Sequence, residues 1–369
     1  MRIAFRELVR RPSRFVTAVV ILTLIASLLM LLGGLLDGLI SQSTGAIYAQ
    51  RGDLIVYSST AENSFLRSRI TAEERARIQA VPGVTAVSGL SVVQLGARVP
   101  ERGARDLANV AIFGTETPPK GVVTIPPRGQ GIADDTLKAN GVKRGMTILL
   151  GPARAPVTIV GFVSGTAYEG QRSVWASPET WRDVQSANRP DARLAPGASQ
   201  ALVVQTKGSA TEVAKDIDQA TTGATTTLTV DAAARALPGV EQQESVFNQI
   251  IGVTVVVAIV VVALFFALLT VERTALYGVL KAIGARSRTL FAGVVLQAVI
   301  VTIVACGIGG ALAVLLQLLI PPGSIPYQLT GLRGVTSAAY LLIASIVGCA
   351  FSLRRVLRID PASAIGSGS

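Results

Sequence analysis

A chain of 369 residues that is half hydrophobic, 15% charged and has a mean hydropathy of +0.52 is more apolar than an ordinary soluble protein, which carries roughly 25% charged residues. It contains no histidine, which excludes Ser-His-Asp triads, histidine acid–base catalysis and imidazole ligands for metal or haem. The net charge of +11 reflects membrane topology and not nucleic-acid binding: residues 1–14, 272–288 and 354–369 hold 12 Lys/Arg against 3 Asp/Glu, whereas 41–245 holds 21 against 19.

Residues 1–14, MRIAFRELVRRPSR, interleave five arginines with Ile3, Phe5, Leu8 and Val9. They predict a short amphipathic helix on the inner leaflet, broken at Pro12. Phe15 to Leu36 is a run of 22 uncharged residues, enough for a hydrocarbon core of about 30 Å, and the first span is set at 15–40. A cleaved signal peptide would have an apolar core of roughly 7–15 residues and a small-residue cleavage site. This run is longer and ends at Asp37-Gly38 with no such site.

Residues 41–245 predict one α+β domain outside the membrane. Thr71 with Glu74 forms a capping box for a helix over 71–80 that Pro82-Gly83 ends, and Val84 to Val93 alternates like a strand. Further strands are expected at 53–57, 110–113, 147–150, 157–163, 172–176 and 201–205, and further helices at 177–186 and 210–220. Both cysteines, Cys306 and Cys349, lie in later apolar runs, so the domain has no disulfide.

Spans two, three and four are set at 246–271, 290–320 and 335–353. A cytoplasmic segment, 272–289, and an outer loop, 321–334, separate them. Arg354, Arg355 and Arg358 in the tail 354–369 hold the last span's end inside. The fold class is therefore an α-helical membrane protein with four transmembrane helices (1+3) and the α+β extracytoplasmic domain inserted between the first two, both termini cytoplasmic. The run Cys306 to Ala311, CGIGGA, permits close helix contact, within the chain or between subunits.

The segment between spans two and three is the most informative. Glu272 to Phe291, ERTALYGVLKAIGARSRTLF, carries Arg273, Lys281, Arg286 and Arg288 against one acidic residue. Such charge must lie at a membrane surface, and its sign puts it inside. Apolar Leu276, Val279, Leu280 and Ile283, followed by Gly284-Ala285, read as a docking helix with a tight end. On position alone, an ordinary cytoplasmic loop fits as well.

The order of one span, domain and three spans resembles the FtsX/MacB-like permeases of ATP-binding-cassette (ABC) systems. So do Tyr277 to Ala285, YGVLKAIGA, the tail Arg354 to Ile365, and the early helix running into Val81-Pro-Gly-Val84. The resemblance implies a bacterial plasma-membrane protein that pairs with a second copy of itself and two copies of a separate ATPase. It assigns the ATPase contact to Tyr277, Leu280, Lys281, Ala282, Ile283, Gly284, Ala285, Arg286 and Arg288. The sequence contains no G-x-x-x-x-G-K-[ST] phosphate loop, so ATP binding in that manner falls to the partner. Within the family the chain is most like haem-exporter permeases, with glycolipid exporters as near relatives, on the stretches Gly161 to Tyr168 and Ser173 to Trp181.

That resemblance implies haem as a transported ligand, no intrinsic cofactor or metal, and membrane lipid but no nucleic acid as further partners. Without histidine, haem iron could be held by Met, Tyr, Glu or Cys. The candidates are Met30 within span one, Tyr168 in the haem-exporter-like stretch, and Glu244 (with Glu241) just before span two. Tyr48 and Phe247 are candidate walls. Each has a plainer reading: Met30 as core packing, Tyr168 as a loop tyrosine, Glu244 as a solvated helix entry, and the two aromatics as an interfacial belt. Asp37 reads as solvated. Two other functions compete with export: a mechanotransmitter that activates a cell-wall hydrolase, and a membrane-bound enzyme, for which there is no nucleophile motif or metal-ligand cluster.

Overall fold

The computed structural model describes residues 12–100, 103, 106–272, 287–321 and 324–356. In chain order the elements are α1 (Pro12–Tyr48), β1 (Leu54–Ser58), α2 (Ala72–Gln79), β2 (Val84–Arg98), β3 (Leu107–Thr115), β4 (Gln130–Asp134), β5 (Thr147–Leu150), β6 (Ala155–Val163) and β7 (Arg172–Ala176). There follow α3 (Pro178–Asn188), β8 (Ala201–Thr206), α4 (Ala210–Ala220), β9 (Thr225–Thr229), α5 (Val230–Arg235), α6 (Val240–Val271), α7 (Ser287–Leu319) and α8 (Gly331–Val356). They fall into two units. A helical unit takes the chain up to Gly38, Ser245–Ile320 and everything from Tyr327; a sheet unit takes Leu39–Glu244 and Pro321–Pro326.

Among the described residues, four helices are long and apolar enough to cross a membrane: Val16–Tyr48, Val240–Val271, Ala292–Leu319 and Gly331–Phe351. Their common core includes Leu22, Ala26 and Leu29 of α1, Ala258, Val262 and Phe266 of α6, Ala298 and Val301 of α7, and Leu341 and Ala344 of α8. Small residues set the closest approaches, as expected where lipid competes for every apolar surface. A Cβ on Gly309 of α7 would stand 2.9 Å from Ala26 Cβ, and one on Gly348 of α8 would stand 2.7 Å from Ile259 O. Part of the glycine run in α7 thus packs within the chain. Thr302 Oγ1 donates to Ser345 Oγ at 2.9 Å and ties α7 to α8.

Helix ends differ from the apolar runs. α1 continues through residues 41–48, α6 starts at Val240 and α8 at Gly331. Hydropathy marks where charge stops, whereas a helix continues for as long as its backbone is hydrogen-bonded.

The sheet unit is built on a split βαβ arrangement. The units β1–α2–β2 and β8–α4–β9 interleave in the order β2–β8–β1–β9, with every neighbouring pair antiparallel, the ferredoxin-like pattern. β1 alternates between two buried faces. Leu54 and Val56 meet Ile78 of α2 and Val213 and Ile217 of α4, while Ile55 and Tyr57 face Ala46 and Ile47 of α1 and Ala233 and Ala234 of α5. The capping box is present as expected: Thr71 accepts from the Glu74 N–H and Glu74 accepts from the Thr71 N–H.

Between β2 and β8 the chain inserts a second body. β2 pairs with β3, β3 with β7, β7 with β4, β4 with β6, β6 with β5, and β5 returns to Ala97 and Arg98 of β2. The ring closes into a small barrel filled by Val93, Val110, Ile112, Ile148, Val157, Ile159 and Val174, with Trp181 and Val184 of α3. The long strand β2 belongs to both bodies, its first half in the open sheet and its second in the barrel.

One ion pair pins α2 to these strands. Arg75 donates to both Glu116 oxygens at 2.8 and 2.6 Å, and the Gly89 N–H reaches Glu116 Oε2 at 2.9 Å. Burial alone would raise the Glu116 pKa; hydrogen bonds from Arg75 and Gly89 and the charges of Arg75 and Arg182 outweigh it, and the pKa falls below 4.5. A carboxylate depressed on folding contributes stability above its unfolded pKa and loses it as pH drops through the folded value. Urea melts of the protein are therefore expected to lose stability on acidification below pH 4.5, and Glu116→Gln is expected to flatten that acid limb. Identical acid limbs in the two proteins would remove Glu116 from the account.

Candidate functional site

α1 is unbroken from Pro12 to Tyr48 and has turns in both units. In the helical unit, Met30 is 4% exposed, and a Cβ on Gly310 of α7 would lie 3.7 Å from its sulfur. That is a packing position. One and two turns earlier, the hydroxyls of Ser27 and Thr23 are buried without a partner among the described residues. Nearer the amino end of α1, a narrow apolar crevice lies between Ala18, Ile21 and Leu22 of α1 and Val261, Val262, Phe265 and Phe266 of α6.

In the sheet unit, the last turns of α1 sit in a loop between β6 and β7. The Glu169 and Gly170 N–H groups donate to Ser43 O and Gln42 O at 2.9 and 3.1 Å, and the Ala46 N–H donates out to Ala167 O at 2.9 Å. Gly45 makes this possible, because a Cβ there would lie 2.6 Å from Gly165 O and 3.1 Å from Ala167 O. Glu169 holds a left-handed φ of 48°, a conformation that costs a non-glycine residue about 1–2 kcal/mol, offset here by the bonds to α1. Beyond the helix end, Lys120 donates its N–H to Ala49 O at 2.7 Å and its ammonium to Tyr48 O at 3.0 Å.

Tyr168 lies in this loop but points inward. It is 2% exposed and packs edge-on against Phe65 at 5.9 Å and Phe113 at 5.4 Å, with Phe113 stacked on Trp175 at 4.5 Å. Burial, then the charge of Glu169 and a hydrogen bond to it, push the phenol pKa well above its ordinary value. A group held so firmly protonated is a poor anionic iron ligand.

The candidates named from sequence are divided between the units: Tyr48, Tyr168 and Glu244 in the sheet unit, Met30 and Phe247 in the helical unit. Tyr48 is 41% exposed and hydrogen-bonded to Asp231, Glu244 is exposed, and Phe247 is half-buried. Of the coupling residues, Tyr277, Leu280, Lys281, Ala282, Ile283, Gly284, Ala285 and Arg286 lie outside the described residues. Arg288 falls in α7, with its side chain outside them too.

Asp37 corrects the sequence reading: it is not left to solvent but bound by Arg333 and Thr330. The sequence marks both residues without pairing them, since Asp37 is the only charged residue from Phe15 to Gln50 and Arg333 the only one from Thr289 to Leu353. Two lone opposite charges in apolar runs seek each other.

Residues 248–361, which take in α6 from residue 248 onward and the whole of α7 and α8, match the FtsX-like permease C-terminal family. The chain is 26% identical over 369 residues, 98% of each chain, to uncharacterised ABC transporter permeases of Mycobacterium bovis and Mycobacterium tuberculosis. It is 31% identical over 117 residues to a Staphylococcus haemolyticus protein named, provisionally, as the hemin transport system permease protein HrtB, covering 32% of this chain and 33% of that one. Among solved structures, the periplasmic region of MacB from Actinobacillus actinomycetemcomitans aligns with 49% of this chain and 90% of that chain at 11% identity. The TM-score of that alignment is 0.35.

Proposed function

We propose that this chain is the membrane permease subunit of an ABC exporter, driven by a separate ATPase subunit and expelling an amphipathic molecule, haem for preference. The observation that carries the reading is the match of residues 248–361 to the FtsX-like permease C-terminal family, over three helices apolar enough to span a membrane, in a sequence with no phosphate loop. Relatives matched over nearly the full length and named as ABC transporter permeases support it. Two copies would pair with two ATPases in a bacterial plasma membrane, both chain ends inside, and the basic segment 277–288 would receive the ATPase stroke. Haem is favoured by the one-third-length likeness to HrtB; Met30, Glu244, Tyr48 and Phe247 remain its candidate contacts.

A haem titration of the purified chain in detergent, followed by visible absorption, tests this reading. A saturable Soret shift is expected, unchanged in Tyr168→Phe because that phenol is buried and protonated. Loss of the shift in Met30→Ala would make the thioether an iron ligand. Absence of saturable binding would remove haem and shift the reading to lipid or peptide export. One observation favours a second reading, a mechanotransmitter: backbone hydrogen bonds grip the end of α1 inside the sheet unit, so a movement of α1 is handed directly to that domain.

A further inference from the structure

Residues 327–333 form a strap that joins α1 to α7 within the helical unit. On α1, Gly33, Gly34 and Asp37 present one face. A Cβ on Gly33 would lie 2.6 Å from Arg333 Cδ, and the Tyr327 ring would meet a Cβ on Gly34. The two glycines are thus a notch holding the arginine stem and the tyrosine ring. One turn on, Asp37 Oδ1 accepts from Arg333 Nε at 3.0 Å and Nη2 at 2.5 Å, and Oδ2 accepts from Thr330 Oγ1 at 2.9 Å. The Gln328 N–H reaches Gly34 O at 2.9 Å. On the other side, Tyr327 Oη donates to Ala313 O at 3.3 Å and the Leu329 N–H to Gln317 Oε1 at 3.0 Å.

We propose that Asp37–Arg333 is a releasable latch: closed, it holds the Gly33–Asp37 stretch of α1 against the strap and α7, and open, it frees that stretch to move away. Two features distinguish a latch from a permanent brace. What Gly33, Gly34 and Asp37 offer the strap is a notch, one carbonyl and one carboxylate, and although Leu36 on the same stretch is fully buried, it stands outside the apolar core that fixes α1 lower down at Leu22 and Leu29. The pair is also partly solvated, its side chains 15% and 26% exposed for Asp37 and Arg333, so water can take over each partner as they part. A fully buried pair would strand two charges on opening; this one does not. These are also the only charges on their respective apolar stretches, so neither has another partner nearby on its own helix to hold it once released.

The test uses the full chain in lipid nanodiscs, with both native cysteines replaced by alanine and spin labels at Leu31→Cys and Leu332→Cys, which are exposed positions on α1 and α8. Pulsed electron paramagnetic resonance measures the label distance. The parent is expected to give one narrow distribution. Asp37→Asn, nearly isosteric, and Arg333→Gln are each expected to add a second, longer distance, and the exchange Asp37→Arg/Arg333→Asp is expected to restore the narrow one. Unchanged distances in both single variants overturn the latch, even if the melting temperature falls, because that result describes a brace. A longer distance that the exchange fails to reverse also overturns it, since charge pairing would then not be what holds the strap.

Discussion

Replacing Phe113 by alanine is expected to destabilise the sheet unit by about 3–5 kcal/mol, the range for deleting a buried aromatic ring. Phe113 lies on β3, fully buried, stacked on Trp175 and edge-on to Tyr168. On the same strand Val110 and Ile112 fill the barrel while Ala111 and Phe113 face the other way. The ring therefore joins the barrel's outer face to the core against which the end of α1 packs, and its neighbours are themselves large rings that cannot collapse into the space it leaves. For a unit of this size each kcal/mol shifts the melting temperature by roughly 2–4 °C. Both tryptophans of the chain, Trp175 and Trp181, lie in the sheet unit, so intrinsic fluorescence reports its melting without interference from the spans. Phe113→Leu, which keeps most of the volume, is expected to cost less than about 1.5 kcal/mol. Equal losses in the two variants would show that volume is not what the site requires.

The second large effect has an unusual sign. Gly→Ala within a helix ordinarily stabilises by about 1 kcal/mol. At Gly45 the same change is expected to destabilise by about 1–3 kcal/mol, the usual penalty for overpacking. The added carbon would stand 2.6 Å from Gly165 O, and a backbone carbonyl cannot turn aside as a flexible side chain would. Relief requires the loop to withdraw, giving up the Ala46–Ala167, Glu169–Ser43 and Gly170–Gln42 bonds. Hydrogen exchange at the amides of Ala46, Glu169 and Gly170 should accelerate together while the barrel amides stay protected. A stabilised Gly45→Ala protein would mean that α1 is not seated in this loop. If the movement of α1 drives the external domain, the same variant should uncouple ATP hydrolysis from the output before the protein unfolds.

Much of the sheet unit could be read from local pattern. The helix at 72–79 declared itself through Thr71 and Glu74, and β5, β6 and β7 through short apolar runs between turns. β4 and β9 did not. β4 reads QGIAD, with a single large apolar residue, because Gly131 packs directly under Val174 of β7. β9 reads TTTLT, and its threonines are satisfied by Asp218 of α4, which accepts from the hydroxyls of Thr225 and Thr227 and from the Thr227 N–H. Neither strand follows the alternation of apolar and polar residues, since what makes each a strand is a partner distant in sequence.

The sites divide in the same way. Tyr168 was singled out by family likeness and not by its surroundings, and its burial between two aromatic rings, Phe65 and Phe113, became visible only once β3, the segment carrying Phe65 and the loop before β7 were brought together.

By itself the sequence determined the four apolar helices, their separation by one large near-neutral domain, and the absence of histidine chemistry, because hydropathy, charge and composition are properties of the chain and do not depend on how it folds. Only the tertiary structure decided that β2 is shared between an open sheet and a closed barrel, that α1 ends within a loop 120 residues further on (Gly45 and Gly165), and that Asp37 is bound by Arg333. Each of these joins positions far apart in sequence through backbone hydrogen bonds, glycine clearances or a single ion pair, and such pairings leave no periodic signature in the chain.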